Sequence, residues 1–349
     1  MGGATKQRVS RADASGFSQS RAAKRLVLLV LAAILVAGLA FSLTLGRYRM
    51  GLGDLVAALG GADDAALNVF LTIRFPRVAC ALLVGWSLSA AGCAYQGIFK
   101  NPMVSPDLLG ASAGACFGAA LAILFSGSGP AVEVAAFAFG VLAVVCSYTL
   151  SAVIGRHMRG VLVLVLSGLV VGNVFQAGVS AVKFLADPNS QLPEITFWLM
   201  GGLASVHEGD LLWLAIACAV GTVGLLALRW RLNVMSLGDE EAASLGVDVR
   251  RTRALVVLCA TLLTAASVAV SGMVGWVGLI VPHLARFIVG SDNRYLMPAS
   301  MLLGGSFLML VDDICRSVYT TEIPLSILTA LVGAPLFVYL ICRGKQGRL

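Results

Sequence analysis

A succession of apolar runs, each about 20 residues long, constrains this chain more than any other feature; the first extends from Leu26 to Leu45. A segment of that length can cross a bilayer as a helix, because a helix satisfies its own backbone polar groups in hydrocarbon. Hydrophobic residues make up 58% of the chain and charged ones 12%, which excludes an ordinary soluble domain. We therefore predict an all-α, polytopic membrane protein with ten spans, at about 26–46, 76–98, 107–126, 131–155, 161–186, 211–228, 254–271, 274–290, 295–312 and 323–342.

The charged residues predict how the chain is organised around the membrane. Residues 1–25 are basic and are expected to form a disordered tail, followed by a membrane domain over 26–343 and a short tail over 344–349. Ten spans place both termini on one side, and most of the Lys and Arg residues fall on that side. Because basic loops remain in the cytoplasm, both termini are predicted to be cytoplasmic. The net charge of +7 is thus explained without a nucleic-acid partner.

The longest polar interval after the N-terminal tail, 229–253, lies on the same side and contains five arginines at its flanks. Ser236 precedes Asp239 by three residues, as in a capping box, and Gly246 occupies a typical C-terminal cap position. These signals predict a short helix from about Leu237 to Leu245 with an acidic first turn. An anionic leaflet would repel that turn, so a partner protein is one interpretation. A solvated loop helix without a partner is the other.

Span five carries polar residues at positions i, i+3, i+7 and i+10, namely Asn173, Gln176, Ser180 and Lys183. They share an arc of roughly 80° on a helix. Polar groups in a span face protein or a water-filled path, so we interpret the stripe as the wall of a path. The alternative is interhelical hydrogen bonding with a lysine that reaches the interface. Span ten has a weaker pattern at Ser326 and Thr329, where helix packing is an equal alternative.

Motifs for catalysis, nucleotide binding and metal binding are missing from the sequence. It contains no GxxxxGK[ST] phosphate loop, no CxxC pair and no two carboxylates in the middle of a span, and its three histidines are far apart. We therefore expect no enzymatic activity, no metal site and no cofactor bound by this chain. The lack of mid-span carboxylates also argues against an ion-coupled secondary transporter.

Six blocks of sequence together resemble a known family. They are Arg74-Phe75-Pro76-Arg77; Gln96 with Asn101-Pro102-Met103 and Pro106-Asp107-Leu108-Leu109-Gly110; Trp198-Leu199-Met200-Gly201-Gly202; Leu232-Asn233 with Leu237-Gly238 and Ser244-Leu245-Gly246-Val247; Gly278-Leu279-Ile280-Val281-Pro282-His283 with Arg286; and Glu322-Ile323-Pro324 with Gly333-Ala334-Pro335. In this order they resemble the permease subunits of ATP-driven type II importers for iron-siderophore complexes, haem and cobalamin, over about residues 40–343. Ser326 departs from the glycine that is usual in the family.

The resemblance implies a bacterial inner-membrane permease that pairs with a second permease copy around a shared path. Two ATPase subunits, which carry ATP and Mg²⁺, would dock on the cytoplasmic side, and a substrate-binding protein would dock outside. An ion-coupled transporter and a non-transporting membrane scaffold are the rival interpretations. Siderophores, haem, cobalamin and a small oxyanion all stay open as cargo.

The resemblance also implies roles for individual residues. A cytoplasmic gate is expected at Asn101, Met103, Val161 and Leu162. Contacts with the ATPase are expected at Ser236, Leu237, Gly238, Asp239, Glu240, Ala242, Leu245 and Gly246. Three arginines beside outer span ends, Arg74, Arg77 and Arg316, are expected to form a basic rim that receives acidic residues of the binding protein. The alternative is that these arginines pair with outer carboxylates such as Asp313 or Glu322.

Overall fold

Helices form almost all of the regular structure in the computed structural model, which describes residues 20–45, 53, 64–127, 129–154, 161–318 and 322–346. Seven helices are long and apolar enough to cross a membrane, and three shorter apolar helices complete the ten predicted spans. The helices are α1 (Arg21–Thr44), α2 (Asp64–Val69), α3 (Phe75–Ile98), α4 (Ala111–Leu124), α5 (Gly129–Ile154), α6 (Val161–Leu185), α7 (Gln191–Met200), α8 (Glu208–Met235), α9 (Asp239–Ser244), α10 (Val249–Ser271), α11 (Val277–Val289), α12 (Asn293–Ser317) and α13 (Leu325–Gln346). No strand occurs within these ranges. The polytopic all-α prediction is confirmed.

Several predicted boundaries need correction. Helix α1 starts at Arg21 because the Ser20 hydroxyl caps it, accepting a hydrogen bond from the Ala23 amide at 3.2 Å. The basic tail is therefore shorter than 1–25, and residues 1–19 lie outside the described ranges. At the other end, α13 continues to Gln346, into the predicted 344–349 tail. Part of the predicted loop before span two is also helical, since α2 and a π-helical turn over Phe70–Arg74 lead directly into α3.

Helix α3 lies at the centre of the bundle and packs against α8, α10, α11 and α12. Glycines allow two of these contacts to be very close. A Cβ atom on Gly85 would lie 2.2 Å from the Gly304 carbonyl oxygen, and one on Gly92 would lie 1.8 Å from the Gly278 carbonyl oxygen. Lipid is as apolar as the helices, so helices in a membrane associate largely through close van der Waals packing. Small residues favour that packing because they allow the backbones to approach. The glycine-rich composition thus has a direct structural use.

Two of the spanning helices are too short to cross alone. Helix α4 has 14 residues and α11 has 13, or about 20 Å each against a hydrocarbon core of about 30 Å. A 3₁₀ turn, Pro106–Leu109, precedes α4. A Cβ atom on Gly278 would lie 2.3 Å from Pro106 Cγ, so the starts of the two short helices meet inside the bundle.

The Gln96 side chain serves both interrupted regions. Its Nε2 donates to the Leu279 carbonyl oxygen at 3.0 Å and to the Val104 carbonyl oxygen at 3.3 Å. Its Oε1 accepts a hydrogen bond from Arg286 Nη2 at 3.0 Å. Non-helical backbone at membrane depth has to be satisfied by protein groups. Gln96 does this for the Val104 carbonyl, and its bond to Leu279 ties the same turn to the first turn of α11.

Candidate functional site

We call the end of the bundle where α1 begins the lower face and the opposite end the upper face.

The polar stripe of α6 points away from the chain's own core. Asn173, Gln176 and Ser180 are exposed, whereas Val182, on the other side of the same helix, is 4% exposed. The Ser180 hydroxyl donates to the Gln176 carbonyl oxygen at 3.1 Å. The stripe therefore lies on a surface that lipid, solvent or a second copy can reach.

The weaker pattern in span ten has a different environment. The Ser326 hydroxyl donates to the Met200 carbonyl oxygen at 2.6 Å, which joins α13 to the end of α7. Thr329 is fully buried, and its hydroxyl donates to the Ser326 carbonyl oxygen. A fully buried residue does not line a path. Thr329 therefore fits helix packing, which was the alternative interpretation for this pair.

The three outer arginines make internal contacts at the upper face. Arg77 donates to both Asp312 and Glu322, with its closest approaches at 2.9 and 2.8 Å. Arg316 pairs with Asp313 and donates to the Ser42 and Leu45 carbonyl oxygens. Arg74 donates to the Leu43 carbonyl oxygen at 2.8 Å.

These contacts fit the pairing alternative, and the docking role of the three arginines stays a prediction. Arg74 is 4% exposed and Arg316 is 7% exposed, so neither presents its charge to a protein above the membrane in this structure. The two networks instead hold the ends of α1, α3 and α12 together, which is the pairing alternative. Arg77 and Asp312 also line a cavity of about 470 Å³ that opens at the upper face.

The predicted gate residues lie at the lower face in two separate turns. In the first, the Asn101 side chain accepts a hydrogen bond from the Met103 amide at 2.9 Å, which closes a tight turn, and Met103 is 55% exposed. In the second, Leu162 is 62% exposed in the first turn of α6. Helix α6 begins at Val161, whose side chain lies outside the described part, as do residues 155–160. The role of these residues as a gate stays a prediction.

The coupling segment, which we define as 236–248, is shorter than the predicted loop because α8 continues to Met235. Ser236 does not cap α9. Its hydroxyl donates back to the Asn233 carbonyl oxygen at 2.7 Å, and Gly238 occupies the cap position. Gly246 has the positive φ expected of a C-terminal glycine, +82°, and its amide donates to the Ala243 carbonyl oxygen.

Helix α9 presents a mixed apolar and acidic surface. Ala242 is fully buried and anchors the helix to the bundle. Leu237 and Leu245, just outside the two ends of the helix, are 65% and 57% exposed. Asp239 accepts hydrogen bonds from Lys100 at 3.3 Å and from Arg253 at 2.8 Å. No sequence pattern pointed to the contact with Lys100, since the two residues are 139 positions apart.

The exposed stripe leads to a testable expectation. Single cysteines at Asn173, Gln176 and Ser180, in a cysteine-free background, should react with a small aqueous thiol reagent in the assembled transporter. A cysteine at Val182, buried on the opposite side of α6, is the matched control and should react at least about tenfold more slowly. Labelling rates measured by mass spectrometry decide the matter. Equal rates at all four positions would mean that the stripe only packs against other helices or lipid.

Comparison with known proteins agrees with this architecture. The FecCD transport family matches residues 34–343. The molybdate import system permease protein of Haemophilus influenzae is 40% identical over 92% of this chain and 96% of its own length. The hemin transport system permease protein of Yersinia pestis is 38% identical over 82% of this chain and 86% of its own length.

A solved structure, described as an inward-facing conformation of an ABC transporter assigned to the metal-chelate type, superposes with a TM-score of 0.85. It is 38% identical and covers 91% of this chain and 99% of that one. The fold and the matched length agree, and the chain belongs to the FecCD transport family of multi-pass ABC importer permeases.

Proposed function

We propose that this chain pairs with a second permease copy to form the path of an importer whose cargo is handed over by an extracytoplasmic binding protein. Two ATPase subunits on the lower face, which we take as cytoplasmic, would drive the transport cycle. One observation carries the proposal: α9 projects from the lower face with exposed leucines at both ends and carboxylates in its first turn. Exposed leucines beside carboxylates on this face are explained by a protein partner that covers them.

The physical argument for a protein partner rests on the two kinds of group in α9. Exposed apolar side chains such as Leu237 and Leu245 gain stability when a groove covers them. The acidic first turn, Asp239 to Glu241, would be repelled by an anionic leaflet. A groove of a cytoplasmic ATPase satisfies both, whereas lipid satisfies only the leucines.

The orientation follows from the basic residues of the lower face. Arg21, Lys24 and Arg25 begin α1 there, and Arg250 and Arg251 begin α10 there. Basic residues next to spans favour the cytoplasmic side. We therefore infer that both termini face the cytoplasm of a bacterial cell and that the chain lies in its inner membrane.

The wall of the inferred path favours an anionic cargo. Residues 161–185, which make up α6, include Lys183 and contain no Asp or Glu. A neutral polar wall with one cation near its upper end does not repel an anion, and it holds that anion weakly enough for release. The 40% identical relative is named for molybdate, so we infer that an anionic metal compound, molybdate first, is carried. Haem is the second candidate, because a hemin permease is 38% identical.

Uptake into proteoliposomes tests the proposal. The chain is reconstituted with an ATPase and a binding protein that co-purify with it, and the labelled cargoes are molybdate, a ferric chelate, haem and cobalamin. We expect uptake of one cargo that requires ATP, and competition by molybdate. Uptake that persists without ATP but follows an ion gradient would instead establish a secondary transporter. If no cargo enters and no ATPase binds, the scaffold interpretation is correct.

The docking of α9 gives a more local prediction. The double variant Leu237→Asp/Leu245→Asp should lower cargo-stimulated ATP hydrolysis by at least about tenfold, because two buried leucines at an interface contribute about 1.4 kcal/mol or more together. Gly246→Val should act in the same direction, since valine is strained at positive φ. Leu237→Met/Leu245→Met keeps the apolar surface and serves as the control. Normal stimulation in both the double aspartate variant and Gly246→Val, with intact assembly, would contradict the docking of α9.

A further inference from the structure

A polar contact joins the two functional segments of the lower face. We define the gate segment as residues 99–105. Lys100 Nζ lies 3.3 Å from one carboxylate oxygen of Asp239, and Arg253 Nη2 lies 2.8 Å from the other. One carboxylate on α9 thus accepts from a cation of the gate segment and from a cation of α10. The contact is a bridge of three charges across three separate elements.

The gate segment has an unusual backbone conformation and is attached at several points. Lys100 has a φ of +50°, a conformation that L residues rarely adopt. The Asn101 turn follows at once. Beyond it, the Val104 carbonyl oxygen is held by Gln96, which is itself bonded to Arg286. The far end of the gate segment is therefore fixed to the bundle. Its near end continues from α3, where the Asn101 amide donates to the Gln96 carbonyl oxygen at 3.3 Å, and the Lys100 side chain reaches α9. Met103 lies between these attachments.

The charge on Asp239 is secure at neutral pH. Partial burial works against ionisation, but the hydrogen bonds and charges of Arg253 and Lys100 outweigh it and hold the pKa of Asp239 below its ordinary value. The charged form is therefore kept at any pH above that ordinary value and is lost only as the pH falls through the lowered one. Glu240 and Glu241, its neighbours in the helix, are both exposed and form no salt bridge within the described part of the chain.

We propose that the bridge Lys100–Asp239–Arg253 transmits movement of α9 to the gate segment, with Lys100 acting as the positioning residue for Met103. The proposal rests on the proposed function, in which an ATPase moves α9. The lysine and aspartate side chains are 37% and 42% exposed, and exposed ion pairs contribute little to stability. The Lys100–Asp239 half of the bridge is thus dispensable for folding, whereas Arg253 is only 18% exposed; the exposed half is a direct polar link between the inferred ATPase contact and the turn that carries Met103.

The experiment measures how many ATP molecules are hydrolysed per cargo molecule transported, in proteoliposomes loaded with the complete complex. Lys100→Met and Asp239→Asn should each raise this ratio by about threefold, the range expected for loss of an exposed pair. Because both remove the Lys100–Asp239 contact and Asp239→Asn also weakens the pair with Arg253, the double variant should be no worse than Asp239→Asn alone. Lys100→Arg should restore a ratio close to that of the wild type. Lys24→Met, which removes a lower-face lysine that contacts Tyr295 instead, is the matched control.

A second measurement reports the gate directly. In a cysteine-free background, Met103→Cys should change its rate of labelling between the nucleotide-free and ATP-trapped complexes. Adding Lys100→Met should abolish most of that change. A variant that keeps both the wild-type ratio and the nucleotide-dependent labelling overturns the proposal while the proposed function stands. A loss that Lys100→Arg fails to restore also overturns it. If the wild-type complex does not couple ATP to cargo at all, the proposed function itself has failed.

Discussion

Gly92→Ala should prevent this chain from reaching its folded state in the membrane or lower its thermal stability severely. The added methyl group would lie 1.8 Å from the Gly278 carbonyl oxygen and 2.6 Å from its carbonyl carbon. These are backbone atoms, so the clash is relieved only by separating α3 from α11. We expect a loss of about 3 kcal/mol or more, at the upper end of overpacking costs.

Gly97→Ala is a matched control on the same helix. The nearest heavy atom to its new methyl group would be Leu232 Cδ2 at 3.6 Å, an ordinary contact with a flexible side chain. The two variants are compared by size-exclusion chromatography after stepwise heating in detergent. Gly97→Ala should behave like the wild type, whereas Gly92→Ala should aggregate at a much lower temperature. If the two proteins melt together, the close approach of α3 and α11 is not present in solution.

Arg77→Met should destabilise the chain by about 3 kcal/mol, because it leaves a buried carboxylate with reduced compensation. The Asp312 side chain is 2% exposed, and its remaining cationic neighbour, Arg316 Nε, lies 3.7 Å away. Thermal unfolding of the purified chain measures the effect. Adding Asp312→Asn should recover part of the loss, since the uncompensated charge is then removed.

Arg77→Met also distinguishes a structural role of this arginine from a docking role, with Arg251→Met as the control. Arg251→Met breaks the exposed pair with Asp248, whose side chains are 85% and 52% exposed, and should cost less than about 1 kcal/mol. If Arg77 serves docking instead, Arg77→Met will melt like the wild type but associate with the binding protein more slowly. That combination would support the basic rim at this position.

The sequence was sufficient for the number and order of spans because hydropathy detects what faces lipid. It was less informative about helix ends. Helix α8 continues past the apolar run through Arg229 and Arg231 to Met235, since polar residues outside the membrane can remain helical. Hydropathy also predicted full-length spans at 107–126 and 274–290, where the structure has a 3₁₀ turn or irregular backbone before a short helix. An apolar run reports burial in the membrane, but not the conformation of its backbone.

Long-range pairs explain most of what the sequence missed at the site. The outer arginines were singled out by their position, yet the partner of Arg77, Asp312, lies 235 residues further along the chain. The link from Lys100 to Asp239 is similarly remote. The helical pattern of Asn173, Gln176 and Ser180 was readable because residues on one helix face are close in sequence. Charges on different helices show no such spacing.

The meeting of α4 and α11 has a consequence for synthesis. Each is too short to enter the bilayer as an independent span, so each would insert as a hairpin with the helix before it. Pro106 and Gly278 are about 170 residues apart, so at 5–20 residues per second the first half-helix waits roughly 10–30 s for its partner. During that interval the surface around Pro106 that later packs against Gly278 lacks its partner. An insertase or chaperone that shields this intermediate would therefore set how much of the newly made chain reaches the folded state.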